Sequence, residues 1–185
     1  MEIEGGARFA SNLKAMTTAP QKSSCDDYEL SIRVGNDDDA EFFLHVEEET
    51  TFESLPPDFH AIAREELRAR LLETHELLLG EEGHIFFIAF DQKSGQNMGL
   101  LWFGPRRNHI TGEFEAWIYN VTVLPAHRGC GVGQRLIQHA EDYARQHGFR
   151  AIGLAVATHN TGAQRLYERL SYQSNNVLMR KPLDA

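Results

Sequence analysis

One short stretch constrains this chain more than any other: Arg128-Gly129-Cys130-Gly131-Val132-Gly133, with strand-forming residues before it and helical periodicity after it. The preceding run from about Glu113 to Val123 (EFEAWIYNVTV) is rich in aromatic and β-branched residues, and Pro125 stops it. From Val132 onward, Val132, Leu136, Ala140, Tyr143, Ala144 and His147 recur at helical spacing until Gly148. A strand end, a glycine-rich turn and a helix start in direct succession gather the unpaired N–H groups of a first helical turn around one point. The glycines keep that point clear of Cβ atoms, and the helix dipole makes it positive. Such a turn binds phosphate, and Arg128 adds a permanent charge beside it.

Two other phosphate-binding plans fit poorly. A dinucleotide fingerprint beginning at Gly129 needs glycine at position 134, where Gln134 stands, and this loop comes late in the chain. A P-loop needs Gly-Lys-Ser/Thr, which the loop lacks. A turn that merely joins strand to helix accounts for one glycine, and badly for three alternating ones behind an arginine.

The rest of the chain supplies a mixed α/β plan. Met1 to about Asp27 has no apolar periodicity and reads as a mobile leader, so residues 28–185 form a single domain, the number that 185 residues can core well. Tyr28 to Val34 (YELSIRV) alternates as a strand does, and a helix follows the Asp37-Asp38-Asp39 cluster to about Glu49. A second helix spans Phe59 to Leu79, closed by Gly80. His84 to Phe90 and Met98 to Phe103 make a hairpin around Asp91–Gly95, and Gly104-Pro105 breaks it. Ala151 to Ala157 is a buried-type strand, Ala163, Leu166, Tyr167 and Leu170 mark a short amphipathic helix, and Val177-Leu178-Met179 suggests a final strand. The order is β-α-α-β-β-β-α-β-α-β, with a right-handed crossover from 113 to 157.

Arg128-x-x-Gly131-x-Gly133 resembles the Gln/Arg-x-x-Gly-x-Gly/Ala signature of the GNAT superfamily of acyl-CoA N-acyltransferases. Asn160-Thr161-Gly162-Ala163-Gln164-Arg165-Leu166-Tyr167, continuing to Leu170-Ser171-Tyr172, is similar to that family's second motif, at the expected distance. The two motifs and the element order agree over about residues 28–182. The resemblance implies a central, mixed, mostly antiparallel sheet with one splayed strand pair, and direct transfer of acetyl from acetyl-CoA to a primary amine. It implies that backbone groups at Val121, Thr122 and Val123 bond the pantetheine arm, as an extended ligand uses free strand-edge groups. Arg128 and the amides of Gly129, Cys130, Gly131, Val132, Gly133 and Gln134 would cradle the pyrophosphate. Asn160 would hold the pantetheine or the local backbone by its side-chain amide, Ala163 would join the cofactor site, and Tyr167 would protonate the departing thiolate, a role that suits a phenol.

The general base does not carry over. Positions where many family members have glutamate hold Trp117 and Ala155. Glu115, two residues before Trp117 on the same strand face, would act through a water; His159 is a second candidate by its ordinary pKa, and Asn120 would only position a water. Ser171 stands where the family has glycine. The missing glutamate keeps a non-catalytic acyl-CoA sensor as the rival to an enzyme.

Charge bears on the acceptor. Residues 1–92 hold 7 Lys+Arg against 21 Asp+Glu, net −14, and residues 93–185 hold 11 against 6, net +5. The basic half suits the anionic co-substrate. In this fold the first two helices wall the acceptor side, and here they carry Asp37, Asp38, Asp39, Glu41, Glu47, Glu48, Glu49 and Glu53, which suits an amine. A small molecule, a protein N-terminus and a lysine all satisfy this. The pI near 5.4 disfavours nucleic acid. The absence of any apolar run long enough to span a bilayer, together with the acidic start of the chain, argues against a membrane partner and for a cytoplasmic location. Cys25 and Cys130 read as free thiols, with Cys130 a small residue tolerated between glycines, and the sequence suggests no metal. Dimerisation is common in the resembling family.

Overall fold

The computed structural model describes residues 28–54, 62–78, 81–108 and 111–179, with Lys181 and Leu183. The leader to Asp27, the expected helix start at Phe59 and its end at Leu79-Gly80 lie outside the described residues. Five strands form one sheet in sequence order: β1 (Leu30–Val34), β2 (Ile85–Asp91), β3 (Asn97–Arg107), β4 (Phe114–Val123) and β5 (Ile152–Leu154). The first three pairings are antiparallel and β4–β5 is parallel, because a helix, rather than a hairpin, connects the last two. The helices are α1 (Ala40–Ser54), α2 (Arg64–Leu78), α3 (Val132–Gln146) and α4 (Thr161–Arg169).

Alternation along the strands sends apolar residues to both faces of the sheet. On one face Phe87, Leu101, Phe103, Ala116 and Ile118 pack with Leu136, Ile137 and Ala140 of α3 and Tyr167 of α4. On the other, Ile88, Leu100 and Trp102 pack with Phe43 and Val46 of α1.

Three expectations are corrected. Gly104-Pro105 does not end β3, which continues to Arg107. The β2 ladder stops at Ile85↔Phe103, so beyond Phe103 one edge of β3 is unpaired. Pro105 pairs opposite Ala116, whose N–H points the other way, to Ala151, and the missing proline N–H costs no ladder bond. The strand expected over 151–157 is only Ile152–Leu154, because β4 and β5 part company after Ile118↔Leu154. Val177-Leu178-Met179 forms no strand: these residues are exposed, and no partner strand lies against them among the described residues.

Ser171 explains itself here. At the end of α4, Ser171 N donates to Glu168 O and Tyr172 N to Tyr167 O, with Ser171 at φ 69°. At the end of α3, Gly148 and Phe149 make the equivalent bonds with Gly148 at φ 81°. Both are Schellman caps, whose left-handed residue is usually glycine. The serine closes the turn at a conformational cost, so we expect Ser171→Gly to stabilise the protein by about 0.5–1 kcal/mol, the left-handed strain less the added backbone freedom of the unfolded chain. Urea denaturation measures it.

Candidate active site

Ahead of the glycine loop, β4 carries a bulge. Ile118 and Asn120 lie opposite Phe103 and Trp102, leaving Tyr119 as the extra residue. Before it, Ala116 N points to β5, donating to Ala151 O. After it the alternation is reversed: Leu124 N donates back to Met98 O of β3, and Val123 O points away from β3, accepting from Arg128 Nε at 3.0 Å. Since successive residues present their backbone groups to opposite sides, Val121 and Val123 face the side that β5 has vacated. Thr122 does not: its side chain is buried, hydrogen-bonded to Thr50 Oγ1 at 2.7 Å and to Asn120 Oδ1 at 2.9 Å.

The parted strands open a cleft of about 310 Å³, lined by Ile118 to Val121 of β4, Leu154 to Ala157, Asn160, Tyr167, and Glu47, Thr50 and Thr51 of α1. Its position at the end of a parallel strand pair is where open α/β sheets bind ligands. Below it, Gly131 caps α3 at φ 80° and Gly129 sits at φ 86°; a Cβ at either would meet nothing within 4 Å among the described residues. The left-handed backbone at both glycines leaves the N-terminus of α3 uncovered by side chains of the loop. Gly133 is closer packed: a Cβ there would fall 3.5 Å from Val123 and 3.7 Å from Leu166. Val132 is in the core, and Gln134 is exposed. Cys130 is not the free thiol expected, since it is disulfide-bonded; Cys25 lies outside the described residues.

Tyr167 reaches the cleft from α4 while its ring is almost wholly buried, and burial pushes its phenol up. It therefore holds its proton at neutral pH. Asn160 lines the cleft and also caps α4, its Oδ1 accepting from Ala163 N at 3.1 Å. Trp117 lies over Gly153, where a Cβ would fall 2.4 Å from the indole, and carries the Arg106 guanidinium 3.9 Å from its ring.

Glu115 is not brought to the cleft. Its carboxylate accepts from Asn108 Nδ2 at 2.8 Å near the start of β4, about 15 Å along the strand from Asn120. His159 is exposed and outside the cleft lining. The acidic helices are also redistributed: Asp39 pairs with Arg33, Glu41 with Arg68, Glu48 with Arg64 and Arg68, and Glu49 with Arg64. Glu47 alone of the acidic residues named on those helices lines the cleft, among those whose side chains are described, and it is hydrogen-bonded to buried His75 of α2 and to Asn120 Nδ2 at 3.3 Å. The sequence marks Glu47 only as one of several wall carboxylates. A signal was available in the spacing, because Phe43, Val46 and Glu47 share a helix face.

Among the described residues no helix is long and apolar enough to cross a membrane, and no cluster of His, Cys, Asp and Glu is suited to a metal. Residues 42–172 match the Acetyltransferase (GNAT) family. The chain is 34% identical over 98 residues to the uncharacterized N-acetyltransferase YdgE of Bacillus subtilis, covering 53% of this chain and 61%, under two thirds, of that one. It is 29% identical over 132 residues to YycN of the same organism, covering 70% and 78%. A putative acetyl transferase from Pyrococcus furiosus superposes with a TM-score of 0.73 at 27% identity, over 84% of this chain and all of that one. Aminoglycoside acetyltransferase AAC(6')-Iy, solved with a CoA-linked bisubstrate analogue, shares the fold at TM-score 0.62 and 19% identity, over 84% of this chain and 99% of that one. With the family match spanning well over half of its length, this chain belongs to the GNAT family of acetyltransferases.

Proposed function

We propose that this protein transfers the acetyl group of acetyl-CoA directly to a primary amine while both are bound. The observation that carries the reading is the parting of β4 and β5 immediately ahead of a left-handed glycine loop. An extended amide-bearing arm would add to the backbone of Val121 and Val123 in the opening, as a strand adds to a sheet edge. Its pyrophosphate would rest on the amides of Gly129 to Gln134, and its thioester would reach Tyr167 beside Asn160. Arg128 is assigned to the loop's shape as well as its charge, since it ties the loop to Val123 O.

Within this reading, the amine attacks the thioester carbonyl, the tetrahedral intermediate collapses, and the Tyr167 phenol supplies the proton to the departing sulfur. A raised phenol pKa serves a donor that must stay protonated until that moment. We expect Tyr167→Phe to lower kcat by about 100-fold while leaving CoA affinity within about twofold. Thiol release and calorimetry measure the two, and an unchanged kcat removes Tyr167 from the chemistry. Direct transfer fits a loop whose cysteine is held in a disulfide. A cytoplasmic site of action and homodimerisation belong to the same proposal.

The test is thiol release from acetyl-CoA across small amines, amino acids and peptide N-termini or lysines, with CoA thermal shifts in parallel. Release with one class establishes the transferase and names its acceptor. A CoA shift with no release anywhere favours the acyl-CoA sensor.

A further inference from the structure

Glu47 occupies a position that its neighbours on α1 do not. Glu41, Glu48 and Glu49 face arginines, which take up their carboxylates in ion pairs. Glu47 faces a histidine. It is only 7% exposed, yet it lines the cleft. His75 Nε2 is hydrogen-bonded to Glu47 Oε2, and Asn120 Nδ2 donates to Glu47 Oε1 at 3.3 Å.

The partners are themselves held. The His75 ring stacks on Phe43 at 4.4 Å and meets the edge of Trp102 at 5.5 Å. Asn120 Oδ1 accepts from Thr122, whose hydroxyl bonds Thr50, so its amide nitrogen is turned toward Glu47. Two helices and the bulged part of β4 therefore converge to aim one carboxylate into the cleft that also contains Tyr167.

We propose that Glu47 is the base that takes the proton from the acceptor ammonium, and that His75 positions it. The assignment rests on the acetyltransferase reading above. An R–NH3⁺ acceptor gives one proton to the Glu47 carboxylate, and the freed lone pair forms the C–N bond at the thioester carbonyl. As the C–S bond breaks, a second nitrogen proton replaces the one Tyr167 gives the sulfur. The products are the amide, CoA thiol and one proton, which Glu47 gives up to solvent at the cleft. The titratable groups sharing the site are His75 from α2, Tyr119 from β4 and Tyr167 from α4. Glu48, beside Glu47 on α1, is taken up by Arg64 and Arg68. The acceptor class that needs this device is an aliphatic primary amine, charged at neutral pH.

The experiment measures kcat/KM by thiol release for two nucleophiles: the best primary alkylamine of the panel, and hydroxylamine, which is uncharged at neutral pH. Glu47→Gln should lose about 100-fold with the alkylamine and less than about threefold with hydroxylamine, since only the former must first be deprotonated. Its alkylamine profile should lose the acidic limb of the wild type and rise about tenfold per pH unit with the free-amine fraction. His75→Gln should shift that limb rather than erase it. Should Glu47→Gln fail to give the wild-type CoA thermal shift, Glu47→Asp, which keeps the charge but draws it back, should show an intermediate loss confined to the alkylamine. Equal losses with both nucleophiles, or an unchanged acidic limb, overturn the assignment of Glu47 while the acetyltransferase reading stands. No thiol release by the wild type with any amine overturns both.

Discussion

Gly131→Glu should weaken CoA binding by at least about 100-fold, roughly 2.7 kcal/mol, leaving the fold in place. Two effects act together. Gly131 is at φ 80°, where an L residue pays about 1–2 kcal/mol, and its vacant side faces open space that the pyrophosphate would occupy. A glutamate fills that space and brings a negative charge against the ligand's own, at a helix N-terminus whose dipole otherwise favours anions. Gly131→Ala separates the terms, because alanine keeps the strain without the charge or the length. Calorimetry with CoA on both variants, with circular dichroism for the fold, gives the answer: glutamate far weaker than alanine places the pyrophosphate here. Wild-type affinity in the glutamate variant would move the site elsewhere.

Trp102→Ala should cost about 3–5 kcal/mol, the range for emptying a large aromatic site. The ring is 2% exposed and touches Phe43, His75, His84 and Tyr119 with centroids 5.1–5.9 Å away. It fastens α1 and α2 to the sheet. Its indole N–H has no hydrogen-bond partner among the described residues, so the loss comes from packing. Trp102→Phe keeps most of the packing and removes an unpaired donor, and should cost less than about 1.5 kcal/mol. Thermal denaturation checks both. The glycine loop belongs to the opposite face, with α3, so folded Trp102→Ala should keep its CoA thermal shift while turnover falls, the Glu47–His75 pair having lost its support.

The elements that the chain declares by itself are those governed by local energetics. The strand over Phe114–Val123, the glycine loop and α3 follow one another because β-branched residues, left-handed glycines and a 3.6-residue apolar repeat each favour one conformation over a few residues. The glycine turn ahead of α3 was legible for the same reason. Tyr167, singled out by its motif, is buried on α4 and lines the cleft.

What only the tertiary structure decided depends on which elements meet. Pro105 could stay in β3 because the β2 ladder had already ended beside it. Val177-Leu178-Met179 carried a β-like composition yet found no partner strand among the described residues, and a strand cannot satisfy its backbone alone. The Tyr119 bulge, which turns Val121 and Val123 toward the cleft, is a register mismatch between two strands and leaves no mark on either one alone. The places of the carboxylates were equally hidden. Glu115 and Glu47 are both glutamates in half-apolar stretches, but the position of Glu115 near the start of β4 and the seating of α1 on the sheet send the first to Asn108 and the second to His75 and the cleft. Local sequence determined the elements and the glycine turn, because short-range sterics and hydrogen bonding suffice for them. The choice among eight acidic side chains fell to packing, because it depends on residues 28 and 73 positions away along the chain.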